Sequence, residues 1–195
     1  MASTKNFSLP LSRKLLPLAF LASAVLSAGP APLAAQEARI SPHETVSTVV
    51  GGNRVTIVYG RPYTKDPKTG APRKIWGGLV PYGKVWRTGA DEATLFITQQ
   101  AIVLGGTPVP AGAYSLFTEP QADGTAALIL NRQIGQWGEE YDPARDFARI
   151  ALTKGELDAP ADQFTIALGK HSGGGGIVRL RWETTEYTVP FNVAK

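Results

Sequence analysis

The chain has 195 residues, of which 43% are hydrophobic, with 20 basic and 16 acidic residues, a formal net charge of +4 and no cysteine. This length suits one domain with a leader or tail. The missing cysteine excludes disulfides, thiol catalysis, iron–sulfur clusters, cysteine zinc sites and a lipid-modified cysteine.

The first 35 residues have the pattern of a secretory signal peptide. Three basic residues precede a mostly apolar run at 15–28, and small residues follow up to Ala35. This order predicts cleavage after Ala35, because the run is too short and wrongly flanked for a membrane-spanning helix. We predict a signal peptide at 1–35, one domain at 36–195, and secretion to the periplasm or the extracellular space. The alternative is an uncleaved membrane anchor.

Without the leader, 17 basic residues face 16 acidic ones, so the net charge predicts no nucleic-acid partner. No later apolar run approaches the length of a membrane span. The predicted partner is therefore a small polar or carbohydrate-like ligand, and the sequence does not predict an oligomeric state.

Beyond residue 40, short segments alternate apolar and polar residues and are separated by Gly, Pro, Asn or Asp, which is typical of strands and turns. About ten such segments predict an all-β fold, a single antiparallel β-sandwich of jelly-roll type with one long ordered loop. In chain order they are "ETVSTVV", "RVTIVYG", "ATLFITQQ", "AIVLGG", "GAYSLFTE", "TAALILN", "FARIALT", "QFTIALG", and two strands in "GIVRLRWETTEYTVPFNV".

The long loop runs from Arg61 to Trp86 and is too rich in proline and glycine for regular strands. Long ordered loops on a rigid scaffold tend to carry function. This loop ends in the densest group of polar and aromatic residues in the chain, "PYGKVWRTGADEAT" at 81–94.

Six residues form the predicted ligand site. An arginine offers a planar fork of donors for a carboxylate or phosphate, aromatic faces can stack on a sugar ring, and carboxylates can accept hydrogen bonds from its hydroxyl groups. The site residues are Arg61, Tyr82, Trp86, Arg87, Asp91 and Glu92.

Two other interpretations of the same motif stay open. Asp91 and Glu92 could serve as acid and base, but adjacent side chains on an extended chain point to opposite sides, so they form no catalytic pair by themselves. Alternatively Arg87, buried under Trp86 and paired with Asp91 or Glu92, could simply hold the loop closed.

Metal, cofactor and nucleophile motifs are absent, so we predict no metal, no cofactor and no assigned catalytic residue. His43 and His171 are far apart and form no ligand-spaced cluster. The glycine run at 173–176 opens a strand rather than a helix, so it lacks the helix N-terminus that would hold a phosphate. Neither Gly-x-Ser-x-Gly nor Ser-x-x-Lys occurs.

Four segments resemble a bacterial family catalogued as domain of unknown function 2911. The resemblance implies an exported, β-rich protein of the cell envelope, and it supplies no activity or catalytic residues. This chain has Asp91 where the family usually has Asn, and "KDPKTGAPRK" where the family has a shorter "KGR" link. The matching segments are "RP" at 61–62, "RKIWGGLVPYGKVWRTGADEAT" at 73–94, "VPAGAYSLFTEP" at 109–120 and, more loosely, "WGEEYDPARDFAR" at 137–149.

The leading functional prediction is an exported cell-envelope binding module for a small polar or carbohydrate-like ligand, rather than an enzyme. One alternative is an envelope glycan hydrolase, which needs a second carboxylate, with Asp142, Asp146 and Glu119 as candidates, and a separation of roughly 5 to 9.5 Å between the pair. The other alternative is a structural or protein-interaction protein with an exposed apolar patch away from the loop.

Overall fold

The computed structural model of the protein describes Met1 and residues 39–194. The predicted signal peptide, apart from Met1, lies outside the described residues. No helix among the described residues has the length and apolar character needed to cross a membrane.

The described chain consists of strands, turns and loops, with a single turn of 3-10 helix at Pro143–Arg145 for which Asp142 provides the N-terminal cap. The strands are β1 (His43–Val50), β2 (Asn53–Gly60), β3 (Thr94–Thr98), β4 (Ile102–Leu104), β5 (Thr107–Val109), β6 (Gly112–Pro120), β7 (Ala126–Asn131), β8 (Asp146–Lys170) and β9 (Gly176–Val193).

The nine strands form one sheet in the order β1-β2-β3-β6-β7-β8-β9-β4-β5. Every pair of neighbouring strands is antiparallel. The predicted all-β, antiparallel fold is thus confirmed, and the strands belong to one continuous hydrogen-bonded sheet. The finer description as a jelly-roll-like sandwich stays a prediction.

Two pairs of predicted strands are each one long strand, β8 and β9. β8 changes register against β9 between Glu156 and Ala161 and again between Ala161 and Thr165. Opposite this point, Glu183 of β9 has a left-handed backbone with φ 50°. Such bulges bend a strand and increase its twist without ending it. The sequence pattern shows the break in alternation but not that the pairing continues through it.

The core is built by period-two alternation within the strands. In β2, the alternate residues Val55, Ile57 and Tyr59 are at most 2% exposed. They belong to the same apolar cluster as Phe164 of β8 and Trp182 of β9, so the two parts of the sheet share one core. Full burial of a large apolar side chain contributes about 1.5–3 kcal/mol to the free energy of unfolding. This cluster is therefore the main source of stability.

A second, smaller apolar cluster lies on the opposite face of β6 and β7. Successive β6 residues alternate, so that Leu116 enters the main core whereas Phe117 belongs to the second cluster with Ile129 and Ala93. Val85 from the long loop packs against this cluster. Around Phe117 and Ile129, residues outside the strands therefore cover part of the outer face of β6 and β7.

The long loop is fastened to β8 along its first residues. Phe164 N–H donates to the Pro62 carbonyl at 2.9 Å, and Thr64 N–H donates to the Asp162 carbonyl at 2.8 Å. These backbone bonds continue the sheet beyond the end of β2 and hold the loop in a defined position, which is what a preformed site on a loop requires.

Candidate functional site

The chain around Trp86 runs beside β6 as a short extended segment. Trp86 N–H donates to the Thr118 carbonyl, and Thr118 N–H donates back to the Trp86 carbonyl, both at 2.8 Å. Successive side chains of an extended segment point to opposite faces. Trp86 therefore faces the core, whereas Val85 and Arg87 lie on the outer face of the sheet. Thr88, whose backbone is left-handed with φ 53°, is also buried.

Trp86 is a core residue rather than the open stacking face that the sequence predicted. It is 9% exposed. Its ring meets Phe164 edge to face with centroids 5.0 Å apart and stacks on Trp182 at 5.8 Å. The tryptophan still borders the cleft described next, but most of its ring contributes to packing.

A cleft of about 590 Å³ opens on the outer face of the sheet beside Arg87. Phe117, Val85 and Tyr141 give it an apolar side, and the long loop supplies much of the remainder. A cleft of this size and mixed lining is typical of small-molecule sites. The lining residues come from segments 40–41, 62–73, 79–91 and 138–141, together with Phe117.

Arg87 projects into this cleft and pairs with Glu139. Nη1 of Arg87 donates to Oε1 of Glu139 at 3.1 Å. The arginine side chain is 26% exposed and the glutamate side chain 76% exposed. The partner is therefore Glu139, not Asp91 or Glu92 as the loop-closing interpretation supposed. The reason is that Arg87 lies on the outer face, where residues 138–141 approach it.

Gly138 lets the backbone pack directly against the arginine stem. A Cβ atom at this position would overlap Arg87 Cδ and stand 2.7 Å from the Asp91 carbonyl oxygen. The Gly138 N–H donates to that same carbonyl at 2.9 Å. Only glycine fits here, and the close contact fixes the direction in which Arg87 leaves the sheet.

Asp91 anchors the chain that enters the domain. It is 6% exposed and has φ 64°, a left-handed conformation that Asn and Asp tolerate better than most residues. Its Oδ2 lies 3.0 Å from His43 Nε2. Its carboxylate also accepts long hydrogen bonds from the backbone N–H groups of Ile40, at 3.5 Å, and Ser41, at 3.4 Å. Ile40 and Ser41 thereby border the cleft.

Glu92 lies beside Asp91 but outside the cleft. It pairs with Arg39 and has Oε2 3.5 Å from His43 Nε2. Burial favours the neutral acid, yet the hydrogen bond and charge of Arg39 outweigh it and lower the Glu92 pKa. Asp91 and Glu92 both approach His43, so the expectation that they point apart is wrong. That expectation assumed an extended chain, which the left-handed Asp91 interrupts.

Arg61 and Tyr82 complete the predicted set, and neither lines the cleft. Arg61 pairs with Glu44 of β1 at 2.9 Å and donates to Thr165 Oγ1 of β8 at 2.8 Å, so it ties the start of the loop to two strands. Tyr82 is 42% exposed and its ring lies against Gly77. The structure thus brings Trp86, Arg87 and Asp91 together at the cleft.

Tyr141 is a cleft residue that the sequence reasoning missed. Its hydroxyl donates to Asp146 Oδ2 at 2.6 Å and accepts from Arg149 Nη2 at 2.8 Å. Burial and the hydrogen bond to Asp146 raise the Tyr141 pKa to about 12. The ring packs against Phe117 with centroids 4.8 Å apart. One indication of a role for Tyr141 was present in the sequence, its position within "WGEEYDPARDFAR", one of the segments that resemble the family.

The other wall of the cleft comes from the proline-rich part of the loop. Asp66 accepts hydrogen bonds from the N–H groups of Lys68, at 2.9 Å, and Thr69, at 3.0 Å, and these bonds lower its pKa. Arg73 donates through Nη2 to the Tyr63 carbonyl. The sequence predicted the loop as functional but could not select these residues, because nothing local indicates which side chains face the cleft.

No group of three or more His, Asp or Glu side chains in the described part of the chain has an arrangement that could hold a metal ion. His43 approaches two carboxylates, and Arg39 also pairs with one of them, as in an ion-pair network. The cleft itself contains both basic and acidic side chains next to apolar ones.

Fold and site together define a class of protein: an all-β protein whose antiparallel sheet carries a ligand-sized cleft under a long, fixed loop. The chain belongs to the family described as protein of unknown function (DUF2911), whose sequence model matches residues 41–191. The resemblance seen in the sequence is therefore confirmed. Comparison with curated proteins gave no match, and comparison with solved structures gave none.

Proposed function

We propose that the protein is an exported binding module whose cleft takes a small polar, carbohydrate-like ligand. The observation that carries the proposal is the cleft of about 590 Å³ on the outer face of the sheet. Ligand sites typically measure about 300–1,000 Å³. Strands and backbone-paired loops hold its walls, so a ligand would meet a preformed surface.

The lining suits a ligand with an apolar face and polar edges. Tyr63 and Tyr141 offer partly exposed ring surface, and Arg87 and Glu139 add a guanidinium and a carboxylate. Sugar rings combine C–H faces, which pack on aromatic rings, with hydroxyl groups that donate to carboxylates and accept from guanidinium groups.

Exposed apolar side chains also favour this cleft over a remote interaction surface. Among residues 39–194, six large apolar or aromatic side chains are exposed, and three of them line the cleft. These three are Ile40, Tyr63 and Leu79, whereas Val49 and Ile134 stand singly elsewhere. Clustering around a concavity is expected of a binding site, and single exposed residues need no functional explanation.

The hydrolase alternative stays a prediction and gains no specific support. It needs one carboxylate to protonate a leaving group and another across the cleft. Asp91 is engaged by His43 and by backbone N–H groups, and Glu92 by Arg39. Side chains held in this way serve to fix the chain, which is the role that the contacts favour.

Binding is tested by titrating the isotope-labelled protein with a panel of neutral and acidic mono- and disaccharides in NMR. We expect chemical-shift changes confined to residues that line the cleft, and weaker binding by Tyr63→Ala. Val49→Ala, which removes an exposed side chain away from the cleft, is the matched control. The proposal fails if no saccharide changes the spectrum or if the shifts map to another surface.

Export is tested separately by expressing the full chain in a bacterium and measuring the mass of the protein in each fraction. We expect a product that begins at Gln36 in the periplasm or medium. An intact chain with Met1 in the cytosol would contradict export and leave the binding proposal standing.

A further inference from the structure

Arg87 has guanidinium N–H donors in the cleft that its contacts with the described residues do not use. Its single hydrogen bond to the described residues uses Nη1 and goes to Glu139. A guanidinium has five N–H donors in one plane. Two neighbouring donors can bond the two oxygens of one carboxylate at the same time. Nε and Nη2 of Arg87 have no partner among residues 39–194 and are not buried. They are therefore open to a group that enters the cleft.

We infer that the ligand of this cleft carries a carboxylate and that Arg87 receives it, an inference that rests on the binding function proposed above. The class of ligand is a small ring-bearing carboxylate, and acidic sugars are its carbohydrate members.

Two of the carboxylates that line the cleft already accept hydrogen bonds within the protein. Asp66 accepts two backbone N–H bonds, both through Oδ1, within its own turn. Asp91 accepts N–H bonds from the entering chain and lies 3.0 Å from His43 Nε2. These bonds use part of the acceptor capacity of the lining, whereas Nε and Nη2 of Arg87 keep their capacity to donate. An anion matches these donors, since it accepts hydrogen bonds and carries the opposite charge.

Glu139 is the third carboxylate, and it is poorly held. Its side chain is 76% exposed, and its ion pair with Arg87 is the kind of surface pair that contributes little free energy. Because Glu139 bonds only Nη1, a ligand carboxylate can enter at Nε and Nη2 on the cleft side. Arg87 itself keeps its position, because Gly138 packs against its stem. Glu139 thus competes with the ligand for the charge of Arg87 and repels a second anion, rather than occupying the same donors.

The opposite wall adds two further cations, Lys68 and Arg73. Arg73 is held by its bond to the Tyr63 carbonyl. Lys68 is exposed, and its ammonium group is a point charge that needs no fixed geometry. With Arg87 they balance the three carboxylates of the lining, Asp66, Asp91 and Glu139, whereas the forked contact belongs to Arg87.

The side of the cleft next to Arg87 selects a ring. Phe117 and Tyr141 pack together with centroids 4.8 Å apart. The Tyr141 hydroxyl is engaged by Asp146 and Arg149, so the residue presents its ring rather than its polar end. A ligand whose carboxylate is attached to a ring, as in a uronic acid, places the anion on Arg87 and a C–H face on the Tyr141 ring, since Phe117 is 1% exposed and only supports that ring.

The experiment compares three probes on the full chain as the host exports it: glucuronate, glucose and cyclohexanecarboxylate. Dissociation constants come from NMR titration at fixed, low salt. We expect glucuronate to bind at least tenfold more tightly than glucose, the scale of a hydrogen bond to a charged group. Arg87→Gln should abolish this preference, and Glu139→Gln should strengthen glucuronate binding because the competitor is gone. Arg54→Gln and Glu140→Gln, exposed residues outside the lining, make the same charge changes and should have no effect.

The results separate three cases. Equal binding of glucose and glucuronate, or an unchanged preference in Arg87→Gln, overturns the carboxylate inference and leaves the binding function intact. Tight binding of cyclohexanecarboxylate as well as glucuronate supports the carboxylate and shows that the ring need not be a sugar. No binding of either carboxylate, while neutral saccharides still shift the cleft resonances, also overturns it. The proposed function itself fails only when the whole saccharide panel fails.

Discussion

Arg87 and Glu139 are 52 residues apart in the chain and are joined by a 3.1 Å ion pair beside the cleft. The pair joins the end of the long loop to the segment before β8. Its exposure means that it contributes little to the free energy of unfolding. Its effect is on the charge of the guanidinium, which the Glu139 carboxylate partly neutralises.

Trp86 should be far more important for stability than Tyr82. Trp86→Ala removes a ring that contacts Phe164 and Trp182 in the core, and we expect a loss of about 3–5 kcal/mol in the free energy of unfolding. Tyr82→Ala removes a ring that is 42% exposed and should cost less than about 1 kcal/mol. Urea denaturation of both variants checks this. Similar losses would mean that Trp86 is not a core residue.

Gly138→Ala should destabilise the protein through a clash with Arg87. The new Cβ overlaps Arg87 Cδ. In the matched variant Gly155→Ala the nearest atom to the new Cβ is the Glu186 carbonyl oxygen at 4.0 Å, so this variant should keep a melting temperature near that of the wild type. Because Arg87→Ala removes one of the clashing atoms, the double variant should be more stable than the sum of the single effects predicts. Strict additivity would show that the arginine stem does not pack there.

Glu92 should stabilise the fold at neutral pH and not in acid. Its folded pKa is lowered, so its contribution is present above the ordinary carboxyl pKa and is lost as the pH falls through the lowered value. We expect Glu92→Gln to be less stable than the wild type at pH 7, and we expect this difference, measured by urea denaturation, to shrink as the pH falls below the ordinary glutamate pKa. A difference that persists undiminished in acid would assign the effect to packing instead of charge.

Tyr141 should make the protein less stable in alkali. Its folded pKa is raised to about 12, so above the ordinary tyrosine pKa near 10 the unfolded chain loses a proton while the folded chain keeps it. The stabilising contribution is full below about pH 10 and falls as the pH approaches 12. Tyr141→Phe should show a smaller loss of stability between pH 8 and 11.5. Equal losses in the two proteins would contradict the hydrogen-bonded network.

The strands could be predicted from the sequence because alternation is a local property. β2 shows it plainly, since Val55, Ile57 and Tyr59 are buried at every second position. The sequence did not predict β5 at Thr107–Val109, because a strand of three residues is too short to show a clear alternation of apolar and polar residues. The merging of the predicted strands into β8 and β9 depends on pairing through bulges, which no local pattern encodes.

The site was predicted less well because it depends on contacts distant in the chain. The orientation of Trp86 is fixed by its backbone pairing with Thr118. The ion-pair partner of Arg87 is Glu139, which is 52 residues further along the chain. Neighbours in sequence, such as Asp91 and Glu92, were the natural candidates, and neither pairs with Arg87 in the structure. A motif can thus indicate that a segment is functional without indicating which of its side chains face the ligand.

The alternation around Trp86 has a consequence for how this surface can change. Consecutive residues belong to different environments: Trp86 and Thr88 are set in the core, and Val85 and Arg87 lie at the cleft. Substitutions at the second pair can alter the proposed recognition while the first pair preserves the fold. If the cleft binds as proposed, the segment offers a place where ligand preference can be redesigned without rebuilding the protein beneath it.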